Sequence, residues 1–222
     1  MKAEGQLCES NSIYLTHPGI LPDIGPMEGR APLVVTIADA VRHFADPQAA
    51  LLIVASLRWP DGVRCPRCAS VAPTFLASRQ IWKCRAAGCR KQFSVRIGTI
   101  FEDSALGLHQ WLACLWAIAN NKDGIGSHRV AHALGITQKS AWFMRHRVRL
   151  AMQTHAFSTH EDPRARASAQ ASAVAASGTG EPQASLERLT AFARRLLAVP
   201  KPEIDREARE WARTPARRRI KK

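Results

Sequence analysis

Aromatic residues are scarce in this chain. Phe, Trp and Tyr make up 6% of it, and there is a single Tyr. Much of the 46% hydrophobic content is alanine, so a modest core is expected rather than one spread over the whole length. No apolar run approaches the roughly eighteen residues that a membrane helix needs. The N-terminus lacks a basic region followed by an apolar stretch, which argues against a secretory signal. The chain is therefore expected in the bacterial cytoplasm, where disulfides are uncommon. Acidic residues are missing from two places, residues 124–160 and the last ten.

What is present is positive charge. Thirty-two Lys and Arg against 18 Asp and Glu give a net charge of +14 and a pI near 10.4. That balance favours a polyanionic partner, chiefly nucleic acid, and with it association with the nucleoid. A length of 222 residues suits one medium domain or two small ones.

Six segments follow from the order of residue types. Residues 1–35 hold several Pro and Gly without period and read as a flexible leader. Residues 36–62 read as a helical segment. Thr36 caps the first helix, Asp46-Pro47 breaks it and starts a second, and Trp59-Pro60-Asp61-Gly62 forms a turn. Residues 63–103 carry four cysteines and short strand patterns. These include Phe93, Val95 and Ile97 alternating with polar residues, and a turn near Ser78–Gln80.

Residues 104–153 switch to helical period. Leu108, Trp111, Leu112, Leu115 and Trp116 form one apolar face, on which Cys114 reads as core. Residues 154–184, rich in Ala, Ser, Gly and Pro, read as a disordered linker. Residues 185–222 read as two short helices broken near Pro200 and Pro202, then a basic tail.

The cysteines stand as Cys65-x2-Cys68 and, fifteen residues on, Cys84-x4-Cys89. Two short loops presenting two thiolates each suit tetrahedral zinc. The strands around them describe a zinc ribbon holding one structural Zn(II). Four reduced thiols, or a redox pair, are the competing readings; a redox pair would want a βαβ setting that is not visible. The second pair is spaced more widely than a standard ribbon knuckle, and Gly88 is expected to help that longer loop turn. Arg64, Arg67, Lys83, Arg85, Arg90 and Lys91 flank the ligands and offset the formal −2 of a zinc tetrathiolate.

Next, "SHRVAHALG" reads as a short helix with Ser127 as N-cap and Gly135 as terminator. Thr137 caps a longer helix, "QKSAWFMRHRVRLAMQ". Together they make a helix-turn-helix pattern. Ala141, Met144, Val148, Ala151 and Met152 are expected to be buried. Gln138, Trp142, Arg145 and Arg149 form an adjoining stripe of the kind that meets base edges. The turn Thr137, Gln138, Lys139 and Ser140 can meet a phosphate, and His128 and Arg129 can touch the backbone. The competing reading is a solvated basic face on an ordinary bundle, with Trp142 simply core. The expected fold class is a small α+β protein: zinc ribbon, helix-turn-helix domain, linker and short C-terminal helices.

The stretches "RWPDGVRCPRC", "WKCRAAGCRKQFSVRIGTIFEDS" and "LHQWLACLWAIANNKDGIGSHRVAHALGITQKSAWFMRHRVRLAM" resemble the N-terminal part of bacterial insertion-sequence transposases with a zinc ribbon. The resemblance covers about residues 36–153. It implies zinc on Cys65, Cys68, Cys84 and Cys89, and transposon terminal inverted repeats on residues 127–149. In that family an RNase H-like domain follows, whose acidic triad holds two metal ions for strand transfer. Here no acidic strand follows, so no catalytic residue is assigned.

"LTAFARRLLAVPKPEIDREAREW" is similar to the C-terminal tail of some members. The expected function is that of a truncated or degenerate transposase, one that binds DNA without catalysing transposition. An active transposase, a transcription regulator and a zinc module gripping other transposase subunits are the rivals.

Overall fold

The computed structural model describes residues 34–71, 73–121, 124–159 and 181–213. Residues 1–33 of the stretch read as a flexible leader, most of the stretch read as a linker and the last nine residues of the basic tail fall outside them. The chain starts as its capping residues dictate. Thr36 accepts a hydrogen bond from the Asp39 N–H, and the Asp39 carboxylate accepts one from the Thr36 N–H. This closes a capping box at the head of α1, Ile37–His43. Asp46 accepts from the N–H groups of Gln48 and Ala49, with Pro47 opening α2, Pro47–Arg58.

Three short strands follow: β1 Thr74–Leu76, β2 Ile81–Lys83 and β3 Gln92–Phe93. They pair antiparallel in the order β1-β2-β3, with Phe75 opposite Trp82 and Trp82 opposite Phe93. The strand expected through Ile97 ends at Phe93, because residues 94–103 turn instead. Arg58 Nη1 donates to the Val95 carbonyl at 2.6 Å, and Thr99 Oγ1 donates to Arg96 O at 2.6 Å. Gly98 adopts φ +75°. Arg96 Nη1 then donates to the carbonyls of Ser104 and Leu106 at 2.8 and 3.0 Å. Ile97 is left 37% exposed while Val95, Ile100 and Phe101 are buried.

The helical part contains α3 Leu108–Asn120, α4 Ser127–Leu134, α5 Gln138–Gln153, α6 His155–Thr159, α7 Glu181–Ala198 and α8 Lys201–Arg213. The α+β class therefore holds. Residues 155–159, inside the stretch read as linker, are helical, and Phe157 is buried because Arg195 of α7 covers its ring at 4.0 Å. Residues 181–184 belong to α7.

α3 is more deeply enclosed than its apolar face predicts. Leu108, Trp111, Leu112, Leu115 and Trp116 are buried, but so are Ala113, Cys114 and Ala117. The reason is α7, which lies along α3 and presents Leu189, Ala193 and Leu196 at helical spacing, all buried. Burial pushes the Cys114 thiol up to about 12, as befits a core thiol. A polar joint locks the packing. Buried Ser185 donates to the Val34 carbonyl at 2.8 Å and accepts from Trp116 Nε1 at 3.3 Å, while Asn120 Nδ2 donates to the Ser185 carbonyl at 3.0 Å.

α8 is tied down at its start. The Lys201 N–H donates to Gly98 O at 3.1 Å, and its ammonium bridges Asp103 at 3.1 Å and Asp205 at 2.9 Å. Those two carboxylates raise the Lys201 pKa, Asp205 first.

Leu196→Ala removes a fully buried side chain at the α3–α7 contact. It should destabilise the chain by about 2–5 kcal/mol, read from the urea unfolding midpoint. An unshifted midpoint would mean that the C-terminal helices are not part of the core.

Candidate metal centre

The sulfurs of Cys65, Cys68, Cys84 and Cys89 all lie within 4.8 Å of one another. Cys65 and Cys89 are 3.8 Å apart, and Cys68 and Cys84 are 3.5 Å apart. A disulfide needs about 2.05 Å, so these are four free thiols. Sulfurs about 2.3 Å from a tetrahedral zinc sit about 3.8 Å from each other, which the separations match. The donor set and the spacing both fit a structural metal, zinc by chemistry. When bound, the ion would supply folding energy and no open position.

The two cysteine loops close in the same way although their spacing differs. The Cys65 N–H donates to Ser70 O at 3.0 Å, and the Cys84 N–H donates to Lys91 O at 2.9 Å. In each case the acceptor stands two residues beyond the second cysteine. The residue between, Ala69 or Arg90, takes the left-handed conformation, at φ 55° and 46°. Gly88 does lie in the turn of the longer loop, where the Cys89 N–H donates to Ala86 O at 3.0 Å, and the left-handed residue that follows is Arg90.

Crowding sets the acidity of the thiols. Burial opposes ionisation of Cys65, yet the N–H groups of Arg67 and Cys68 and the neighbouring thiols together lower it to about 7. At Cys68 the Ser70 N–H favours the thiolate, but the sulfurs around it win and raise the group to about 12. A cation among the sulfurs would favour the thiolate form at both.

Beneath the loops lies a small aromatic core. Trp82 stacks on Phe93 at 6.3 Å, Phe75 meets Trp82 at 5.0 Å, and Trp59 from the end of α2 meets Trp82 edge-on at 5.5 Å. The Arg58 guanidinium lies over Trp59 at 4.6 Å, and burial, against the pull of Glu102, lowers it to about 10.

The second candidate site is the helix pair. α4 packs on α5, and Gly135 ends α4 at φ 63°, with the Ile136 N–H returning to Ala131 O at 3.1 Å. The N-cap of α4 is Gly126 and not Ser127. The Ser127 hydroxyl instead accepts from Gln138 Nε2 at 2.9 Å. Thr137 does cap α5, accepting from the Ser140 N–H at 3.1 Å. Ala141, Met144, Val148 and Ala151 are buried as read. Met152 is 42% exposed, and Leu150 takes the buried place instead.

His128, Arg129, Thr137, Gln138, Lys139 and Arg149 are exposed, while Ser140 and Arg145 are partly buried. Trp142 is covered. It stacks on His146 at 4.8 Å and meets Trp211 of α8 at 5.9 Å, and Trp211 also lies 4.2 Å from His146. Nothing in the α5 pattern points to Trp211, because the contact crosses more than sixty residues. The one available signal was Trp211 itself, an aromatic residue on an otherwise polar helix.

Architecture and sulfur cage together define a small zinc-ribbon protein with a helical body. Comparison with known proteins sharpens this. Residues 46–92 match the transposase zinc-ribbon domain family, which takes in α2 as well as the two cysteine loops. The chain is also 28% identical over 79 residues to a protein described as "Uncharacterized protein in transposable element ISH50" from Halobacterium salinarum. That alignment covers 34% of this chain, which spans only 26% of that relative's length. No solved structure matches. The chain is thus a transposase-related zinc-ribbon protein.

Cys65→Ser should lower bound zinc below one ion per chain and loosen the ribbon, as read by metal analysis and Trp fluorescence. Because the ligands must be thiolates, zinc affinity should also fall from about pH 8 to about pH 6. Stoichiometric zinc in the variant, or a pH-independent affinity, would rule out the four-thiolate cage.

Proposed function

We propose that this chain is a zinc-stabilised DNA-binding protein, a truncated or degenerate relative of insertion-sequence transposases that binds DNA without transposing it. Its ligand on this reading is transposon terminal inverted repeats. The observation that carries the reading is the surface of the helix pair. His128, Arg129, Gln138, Lys139 and Arg149 stand exposed on two packed helices joined by a tight glycine turn. No acidic residue lies between 124 and 160. A recognition helix needs that chemistry: Arg and Lys for phosphates and guanine, Gln for adenine.

The transposase ribbon domain upstream and the net charge of +14 point the same way. The carboxylates Asp103 and Asp205, which the fold brings together, are held on Lys201. They act as a clamp on α8 and not as a pair turned toward a metal. On this reading Trp142 supports α5 through Trp211 and reads no base. Gln138 must give up its bond to Ser127 before it can read one.

Binding of the zinc-loaded chain to a terminal-repeat duplex and to its scrambled counterpart tests the reading. A preference of about 10³ or more is usual for a specific binder. Arg145→Ala should cost about 1–3 kcal/mol on the repeat alone if Arg145 meets a base. Equal affinity for both duplexes would reduce the function to coating DNA, and no binding to either would end it.

A further inference from the structure

We propose that the zinc ribbon is itself a phosphate-binding surface that grips the backbone of the same duplex without reading its sequence. This rests on the DNA-binding reading above and adds a second contact region to it.

Residues 62–101 contain eight Lys or Arg and no Asp or Glu. A zinc tetrathiolate carries a formal −2, so about six positive charges remain after its neutralisation. Seven of the eight, Arg64, Arg67, Arg79, Lys83, Arg85, Arg90 and Lys91, are exposed. Holding the ribbon together does not use them. The eighth, Arg96, turns inward to the Ser104 and Leu106 carbonyls. The seven others make no side-chain hydrogen bond or ion pair with any described residue. By contrast, Arg42 is paired with Asp39, and Lys201 with Asp103 and Asp205.

The frame is rigid. Arg64, Arg67, Arg85, Arg90 and Lys91 sit within two residues of a ligand cysteine, on loops whose backbones are closed by hydrogen bonds. Lys83 lies on β2, and Arg79 lies in the turn before it. Unpaired charges on a fixed frame lose little freedom on meeting an anion.

The ribbon does not swing from the helical body either. Trp59 packs against Trp82 and Phe93, Arg58 holds Val95 O, and the Lys201 N–H holds Gly98 O. Its charge is therefore delivered at a set position relative to α4 and α5. A polyanion of regular charge spacing, the phosphodiester backbone, fits this better than a small anion, since the charges are spread over two loops and a hairpin.

The test uses the full zinc-loaded chain and the same two duplexes over a range of salt. Each phosphate contact contributes about 0.9 to the slope of log affinity against log salt. Replacing Arg64, Arg67, Arg85 and Arg90 by Gln together should flatten the slope by about three to four. The affinity should fall by the same factor on both duplexes, leaving their ratio unchanged. Metal analysis of the variant checks that the cage survives. Should it not, Arg79→Gln with Lys83→Gln changes charges that are not on the cysteine loops, and should flatten the slope by about two.

Wild-type binding with an unchanged slope in these variants would overturn the ribbon contact alone. It would leave the helix pair as the DNA site and point the ribbon toward a protein partner. Loss of binding to the repeat only would also overturn it, since that marks base reading. Absence of wild-type binding would remove both proposals.

Discussion

Four sulfurs within 4.8 Å of one another are the constraint on which the N-terminal half of this molecule rests. The strands beside them total eight residues, far too few to stand alone in water. Their aromatic core, Phe75, Trp82 and Phe93, is completed by Trp59 from α2. A cation among the thiols would favour their thiolate forms, and its binding energy would then be folding energy. The same cage fixes the two loops that hold Arg64, Arg67, Arg85 and Arg90. A metal held in the cage would therefore also set the positions of these cations.

The helical half rests on the enclosure of α3. α1, α2 and α7 all pack on it, and Ser185 joins α7 both to α3 and to the backbone at Val34. The two ends of the described chain therefore meet in one core. α8 continues this closure along α5. It is held at one end by the Lys201 clamp and at the other by Trp211 against Trp142 and His146. Its Trp211 half-covers Trp142, while Gln138 and Arg149 of α5 stay exposed.

Local chemistry was legible in the sequence. Thr36, Asp46 and Thr137 cap the helices they were read to cap, Gly135 ends α4, and the cysteine spacing assembles the cage. Long-range features were not. An apolar face on α3 cannot reveal that its other side is also covered, because the cover arrives from residues 185–199. The alternation Phe93, Val95, Ile97 looked like a strand. It became a turn through the Arg58 guanidinium, which reaches the Val95 carbonyl from α2. For α3 and for the Val95 turn, a partner distant in sequence overrode a local preference.

If the ribbon both holds zinc and grips DNA, removing the metal should disturb the DNA contact. Zinc should be stripped from the purified chain with a chelator, the affinity for a terminal-repeat duplex measured, and the ion restored. Binding should weaken and its salt dependence flatten in the stripped chain, and both should recover when zinc is returned. Equal affinity and equal salt dependence with and without zinc would contradict that DNA contact.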